Sequence, residues 1–161
     1  MIKSLNDIAN IVKQLKKENK KIVFTNGCFD ILHSGHCKYL GDARKLGDVL
    51  IVGLNTDASV KRIKGAMNRP INDEINRAIV LDALKAVDYV VLFDDDTPYN
   101  LIAEIIPDIL VKGSDYNIEN IIGADIVINN GGEVITIDLL EGQSTTNIIE
   151  KIKKIITNEN K

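Results

Sequence analysis

Ile22-Val23-Phe24-Thr25-Asn26-Gly27-Cys28-Phe29-Asp30-Ile31-Leu32-His33-Ser34-Gly35-His36 is the stretch on which the fold turns. It opens as a short apolar run, passes into a loop from Asn26 to Gly35, and leads to Leu40, Ala43 and Leu46 at helical spacing, with Gly47 as the expected helix stop. A buried strand, a tight loop and a helix in that order make the first unit of an α/β fold.

The same alternation continues outward. Upstream, Ser4 suits an N-cap, with Asp7 three residues on, and Leu5, Ile8, Val12 and Leu15 follow at helical spacing. Downstream, Val49 to Leu54 is an unbroken apolar run, the mark of a parallel strand covered on both faces. Thr56-Asp57 opens a helix, Lys61 to Pro70 reads as a basic irregular stretch, and Asn72 or Asp73 caps a helix carrying Ala78, Leu81 and Leu84. Tyr89 to Leu92, Asp108 to Val111 and Val134 to Ile137 read as further strands. Between them, Thr97-Pro98 starts one helix and a second runs from about Ile122 to Asn130, before Gly131-Gly132. Ser144 caps the last helix, whose Ile148, Ile149, Ile152, Ile155 and Ile156 form a stripe suited to a core or to a homodimer seam. The expectation is α/β: a single doubly wound, Rossmann-like domain over residues 1–161, with a five-stranded parallel sheet, an N-terminal helix over 1–20 and a catalytic core over 21–157. Ligands in such folds bind beyond the carboxyl ends of the strands, where strand order reverses.

Composition narrows the function. The 161 residues carry a net charge of -3, 4% aromatics and no Trp, which argues against a nucleic-acid partner needing a basic face or stacking rings. Met1 to Lys21 lacks a signal-peptide pattern and no run is long enough to span a bilayer, so a cytoplasmic setting without a membrane partner is expected. Cys28 and Cys37 read as reduced thiols, and no Cys/His set completes a zinc site.

Both histidines of the chain, His33 and His36, flank Ser34-Gly35 at the start of a helix. Gly35 permits close backbone approach, and the helix start offers unpaired N–H groups and a positive dipole end to an anion. Two imidazoles there can stabilise charge growing on phosphorus or on a departing pyrophosphate. Neither a P-loop nor a G-x-G-x-x-G fingerprint is present. Lys61, Arg62, Lys64 and Arg69 offer cations for phosphates, Lys61 being the first choice. Lys112-Gly113 follows a strand on the edge where a ligand should lie, and Ser144-Thr145-Thr146 combines capping with anion binding. Asp94-Asp95-Asp96 reads as a solvated helix entry rather than a metal cluster, and no protein metal site is expected.

The His-x-Gly-His segment after a first strand resembles the signature of the nucleotidylyltransferase superfamily. Asn55-Thr56-Asp57, Arg77 and Gly142-Gln143-Ser144-Thr145-Thr146-Asn147 are similar to its later motifs. Asn26 to His33, Asp57 to Arg62, Leu110 to Tyr116, Asn130 to Val134 and Ser144 to Ile149 look like the adenylyltransferase domain of the ADP-heptose pathway, which occurs alone or fused to a sugar kinase. Ser34 stands where relatives often have Pro or Trp, and Cys37 where they have an aliphatic. The segment Asp138 to Gly142 lacks the arginine that glycerol-phosphate cytidylyltransferases carry there.

The resemblance implies transfer of AMP from Mg-ATP to D-glycero-D-manno-heptose 1-phosphate by direct in-line attack, for the assembly of a lipopolysaccharide or other surface glycan. The expected partners are ATP and a sugar 1-phosphate, with Mg²⁺ carried mainly by the ATP phosphates. Catalytic roles fall to His33, His36 and Lys61. Nucleotide contacts fall to Thr25, Asn26, Gly27, Cys28, Phe29, Gly35, Asn55, Asp57, Lys112, Gly113, Ser144, Thr145 and Thr146. Phosphate or acceptor contacts fall to Lys64, Arg69, Arg77 and Asp30. The competing readings are a relative acting on glycerol 3-phosphate with CTP or on FMN with ATP, and a nucleotide-binding module without catalysis. His36→Ala is expected to lower turnover by about a hundredfold or more with the fold intact, measured by pyrophosphate release beside a circular dichroism melt.

Overall fold

The computed structural model describes residues 1–65, 68–114 and 117–159. The elements in chain order are β1 (Ile2–Lys3), α1 (Leu5–Lys17), β2 (Ile22–Gly27), α2 (Ser34–Arg44), β3 (Val49–Asn55), α3 (Asp57–Lys64), α4 (Glu74–Asp82), β4 (Tyr89–Phe93), α5 (Tyr99–Ile105), β5 (Ile109–Gly113), α6 (Ala124–Asn129), β6 (Glu133–Ile137) and α7 (Thr145–Glu159), with a 3-10 turn at Ile118–Asn120. The sheet has six strands rather than the expected five, in the order β1-β4-β3-β2-β5-β6, and every pairing is parallel. The added strand, β1, pairs only Ile2 with Val90 and Lys3 with Val91. Two residues are too short to show periodicity, and pairing with the edge of β4 makes them a strand.

Side-chain alternation sorts the strand residues into two cores. Ile22, Phe24, Ile51, Val91 and Leu110 face one side, where Ile8 and Val12 of α1, Leu101, Ile102 and Ile105 of α5 and Val127 of α6 cover them. Val23, Leu50, Val52, Val90 and Val111 face the other, under Leu40 and Ala43 of α2 and Ala78 and Leu81 of α4. Both faces are therefore apolar, as in a doubly wound sheet.

The helix signals act mostly as read. Ser4 Oγ accepts from Asp7 N at 3.2 Å and Asp73 Oδ1 from Asn76 N at 2.9 Å, fixing the starts of α1 and α4. The stretch from Lys61 is not irregular throughout. Thr56 caps α3, Lys61, Arg62 and Lys64 suit its carboxyl end, and Gly65 closes it in the left-handed region at φ 59°. Gly47 does not cap α2, which ends at Arg44. A Cβ at Gly47 would lie 2.6 Å from Lys21 O, so glycine is needed there for close approach. Helix α5 begins at Tyr99 with Pro98 in the cap position, one residue later than expected. The α7 stripe is only partly covered: Ile148 and Ile149 are half-buried, while Ile152, Ile155 and Ile156 are exposed.

After the short edge strand β1, the chain enters the middle of the sheet at β2. It winds outward through β3 to β4, then returns to the far side of β2 as β5 and continues to β6. Strand order therefore reverses between β2 and β5. Strand β2 pairs with β3 at six register positions from Ile22 to Gly27, but with β5 only at Val23 and Phe24. Beyond those positions the two carboxyl ends part, and a crevice opens. Leu50 is fully buried in the second core, and Leu50→Ala is expected to cost about 2–5 kcal/mol in a denaturant titration.

Candidate active site

The crevice has two lobes over one floor. The first, of about 480 Å³, runs from Asn55, Ile63, Lys64 and Arg69 to Asp96–Pro98 and Asn120–Ile122. The second, of about 390 Å³, is walled by His33, Gly35, Tyr39, Gly113, Leu139, Leu140, Gln143 and Ser144. Both share Asn26, Gly27, Cys28, Phe29, His36, Lys64, Lys112 and Thr145. Such volumes suit small-molecule ligands. The shared floor is where two ligands, one in each lobe, would meet.

Strand ends and one helix start build the floor. Lys112, near the end of β5, donates to Asn26 Oδ1 across the parted strands. Helix α2 begins with His33 in the cap position and no side-chain cap hydrogen bond, so its first-turn N–H groups face the crevice without the usual hydroxyl or carboxylate. The His33 and His36 rings stack at 3.8 Å between centroids, and the Phe29 and His36 rings meet in an edge-type contact at 5.2 Å between centroids. Both Nδ1 atoms are buried without a hydrogen-bond partner among the described residues. Burial, and then repulsion from His33, push His36 down to about 4, and burial also lowers His33. The rings are therefore neutral near pH 7, and the tautomer with hydrogen on Nε2 avoids burying an unpaired N–H. Gly35 keeps this arrangement tight, since a Cβ there would lie 3.0 Å from the His33 ring and 3.1 Å from Gln143 Cβ.

The structure gathers most of the expected residues and sets others apart. Lys64 lines both lobes and its ammonium makes no ion pair among the described residues, whereas Lys61, three residues earlier on α3, lines neither lobe. Arg69 lines the first lobe and pairs with Asp30 at 2.5 Å. Arg62 is drawn away to Asp94 and Asp96. Arg77, expected on a phosphate, lies under the floor with its side chain fully covered. Its three nitrogens donate to Asn72 O at 3.0 Å, Cys28 O at 2.6 Å and Asp57 Oδ1 at 2.7 Å. Asp57 thus faces Arg77 and not the crevice. Thr25 is buried against Tyr39, its hydroxyl 2.8 Å from the phenol oxygen, because alternation along β2 points it towards α2. Asn55 is held by Ser59 at 2.9 Å and reaches the first lobe. The Cys28 thiol lies 4.0 Å from Asn55 Oδ1, and burial raises its pKa against the pull of Lys64, Arg77 and Arg69.

The hydroxyls at the start of α7 divide their work. Ser144 Oγ accepts from Asn147 N at 3.0 Å, Thr145 Oγ1 donates to Ile31 O at 3.4 Å, and Thr146 lines the first lobe with no hydrogen bond to a described residue. Sequence reasoning missed Tyr39, Ile63, Asp96–Pro98, Asn120–Ile122, Leu139 and Leu140. The residues just after β4 and β6 could have been flagged, because the carboxyl edge of a parallel sheet is its ligand edge. Asp115 and Tyr116 of the resemblance, and Ala66 and Met67 of the basic stretch, lie outside the described residues. Among the described residues no group of three or more His, Cys, Asp or Glu side chains is placed to hold a metal ion, and no helix is long and apolar enough to cross a membrane.

The site is thus a crevice at a strand-order reversal, with two imidazoles at an open helix start. The chain belongs to the cytidylyltransferase-like family, which it matches over residues 24–151. It is 59% identical over 152 residues to the bifunctional protein HldE of Campylobacter concisus, covering 94% of this chain and 31% of that protein. To the bifunctional protein HldE of Nitratiruptor it is 57% identical over 152 residues, covering 94% of this chain and 32% of that protein. The chain thus spans about a third of the length of these curated relatives. Among solved structures, the lipopolysaccharide core biosynthesis protein of Thermoplasma volcanium is 31% identical with a TM-score of 0.64, covering 76% of this chain and 99% of that chain. A pantoate-beta-alanine ligase from Francisella tularensis shares the fold at 18% identity and a TM-score of 0.64, over 95% of this chain and 77% of that chain.

The His36 environment sets a pH dependence. Unfolded histidine takes up a proton near 6.5, and folded His36 only near 4. Between those values the unfolded chain binds more protons, so this contribution to stability is full above pH 6.5 and is lost as pH falls towards 4. Urea midpoints measured from pH 7.5 to 4 are expected to decline through that window, and less steeply in His36→Gln.

Proposed function

We propose that this chain is an adenylyltransferase acting on ATP and D-glycero-D-manno-heptose 1-phosphate. An oxygen of the sugar phosphate attacks the α-phosphorus of ATP, the bond to the bridging oxygen breaks, and its electron pair leaves on pyrophosphate, forming ADP-heptose. The observation that carries this reading is the pair of lobes meeting over His36, Lys112 and the open start of α2. One lobe suits a nucleoside, against Leu139, Leu140 and Gln143. The other suits a phosphorylated sugar, with Lys64 and Arg69 for its charge and Asn55, Asp96, Thr97 and Asn120 for its hydroxyls.

Each element has a stated task. The α2 amides and a neutral His36 donate hydrogen bonds to phosphate oxygens, and gain strength as charge moves to the bridging and terminal oxygens. Lys112 and Lys64 neutralise charge from opposite sides of the floor. Cys28, kept as a thiol by burial, is a poor nucleophile, which favours direct attack over a covalent intermediate. Mg²⁺ fits as a companion of the triphosphate, adding charge neutralisation, because the first-lobe carboxylates Asp30 and Asp96 are paired with Arg69 and Arg62. The likeness to a lipopolysaccharide core biosynthesis protein supports a surface-glycan product, and the reaction is proposed to run in the cytoplasm. The exposed isoleucines of α7 suit pairing of two copies.

The test crosses ATP and CTP with heptose 1-phosphate and glycerol 3-phosphate and measures pyrophosphate release. Release with ATP and the heptose phosphate alone is expected; release with CTP and glycerol 3-phosphate, or with no pair, overturns the proposal. In the productive pair, Lys64→Ala is expected to lower kcat/KM by on the order of tenfold or more, and Lys61→Ala by less than about threefold.

A further inference from the structure

Phe29 adopts φ 43°, a left-handed conformation that costs a residue with a Cβ and persists only where its surroundings over-determine it. The surroundings do so on both sides. Before it, the Cys28 carbonyl accepts from Arg77 Nη1 at 2.6 Å. After it, the Asp30 carboxylate accepts from Arg69 Nε at 2.5 Å, Ile71 N at 2.7 Å and Asn72 N at 3.0 Å, and the Asp30 carbonyl accepts from Asn72 Nδ2 at 2.6 Å. Arg77 is anchored in turn by Asp57 and Asn72. The Asp30 side chain is 1% exposed and that of Arg77 is 0% exposed, so water competes little for these bonds.

The result of the twist is the place of one ring. Phe29 turns back over Gly27, where a Cβ would lie 3.1 Å from Phe29 Cε2, and its ring makes an edge-type contact with that of His36. His36 is then held between Phe29 and the stacked His33. We infer that Arg77 and Asp30 are positioning residues that clamp Phe29 in its left-handed conformation, so that the Phe29 ring sets where the His36 imidazole lies over the crevice floor. Arg77 spends its fork on protein groups, and its influence on the reaction runs through Phe29. The role of His36 in turnover rests on the proposed adenylyl transfer; the clamp itself is read without turnover.

The chain has two histidines, so imidazole signals in a ¹⁵N NMR pH titration are few enough to follow one by one. Phe29→Gly keeps φ 43° accessible and removes only the ring. Arg77→Lys keeps the charge but replaces the three-way fork with a point donor. In both, the His36 midpoint is expected to climb from about 4 towards that of an ordinary imidazole, because the ring gains water. At pH 8, kcat is expected to fall on the order of tenfold with KM for ATP within about threefold, as for a lost transition-state contact. A wild-type midpoint, or wild-type kcat, in folded Phe29→Gly overturns the inference. The same results in folded Arg77→Lys remove Arg77 from the clamp; should that variant fail to fold, Asp30→Asn takes its place and is read the same way. If no acceptor is turned over, the proposed reaction fails and the titration alone decides the clamp.

Discussion

Strands β2 and β3 are buried on both faces, with Ile22 to Phe24 and Leu50 to Val52 at or near zero exposure. Water is excluded from both sides, so every backbone polar group there must be met by a neighbouring strand and each face must be covered by helices. A chain that lays its first long strand in the middle of such a sheet and then builds outward on one side has to come back across it. That return, from β4 to β5 on the far side of β2, produces the strand-order reversal. The crevice is a consequence of burying the sheet: β2 is committed to β3 for six positions, and only two remain shared with β5 before the ends part.

On that frame the arginines and lysines have separate uses. Arg62, Arg69 and Arg77 each bind protein carboxylates or carbonyls and tie segments distant in sequence to one another. The planar guanidinium can serve several acceptors in fixed directions, and in a buried setting that rigidity holds a loop in place. Lys64 remains on the crevice wall without an ion pair among the described residues, where a flexible point charge can follow phosphate groups as charge shifts. The proposed chemistry therefore rests on a locked floor with a mobile cation at its edge, the division expected when catalysis is mostly positioning and charge neutralisation.

Much of this was legible along the chain. Val49 to Leu54 is a buried strand as its unbroken apolar run implies, and Ser4, Asp73 and Ser144 cap as their side chains dictate. The helix start at Ser34 follows from the pattern after the histidines. Shorter or longer-range features were not legible. Strand β1 has two residues and exists through its partner. Gly47 looks like a helix stop in sequence, but what it answers is the approach of Lys21 O, a contact between residues far apart along the chain. Phe29 carries no sign in sequence of a left-handed backbone, because the groups that impose it come from residues 69–77.

The sequence by itself determined the α/β alternation, the double burial of the sheet and the placing of both histidines at a helix start, because periodicity, capping and glycine act over a few residues. Tertiary structure alone decided which charges meet the crevice. Lys61 and Lys64 lie one turn apart on the same side of α3, and only the docking of that helix, with its carboxyl end at the crevice, puts Lys64 on the wall and leaves Lys61 off it. Arg77 has the chemistry of a phosphate contact, yet its guanidinium meets Asp57 instead, since a buried charge is stable only with a partner.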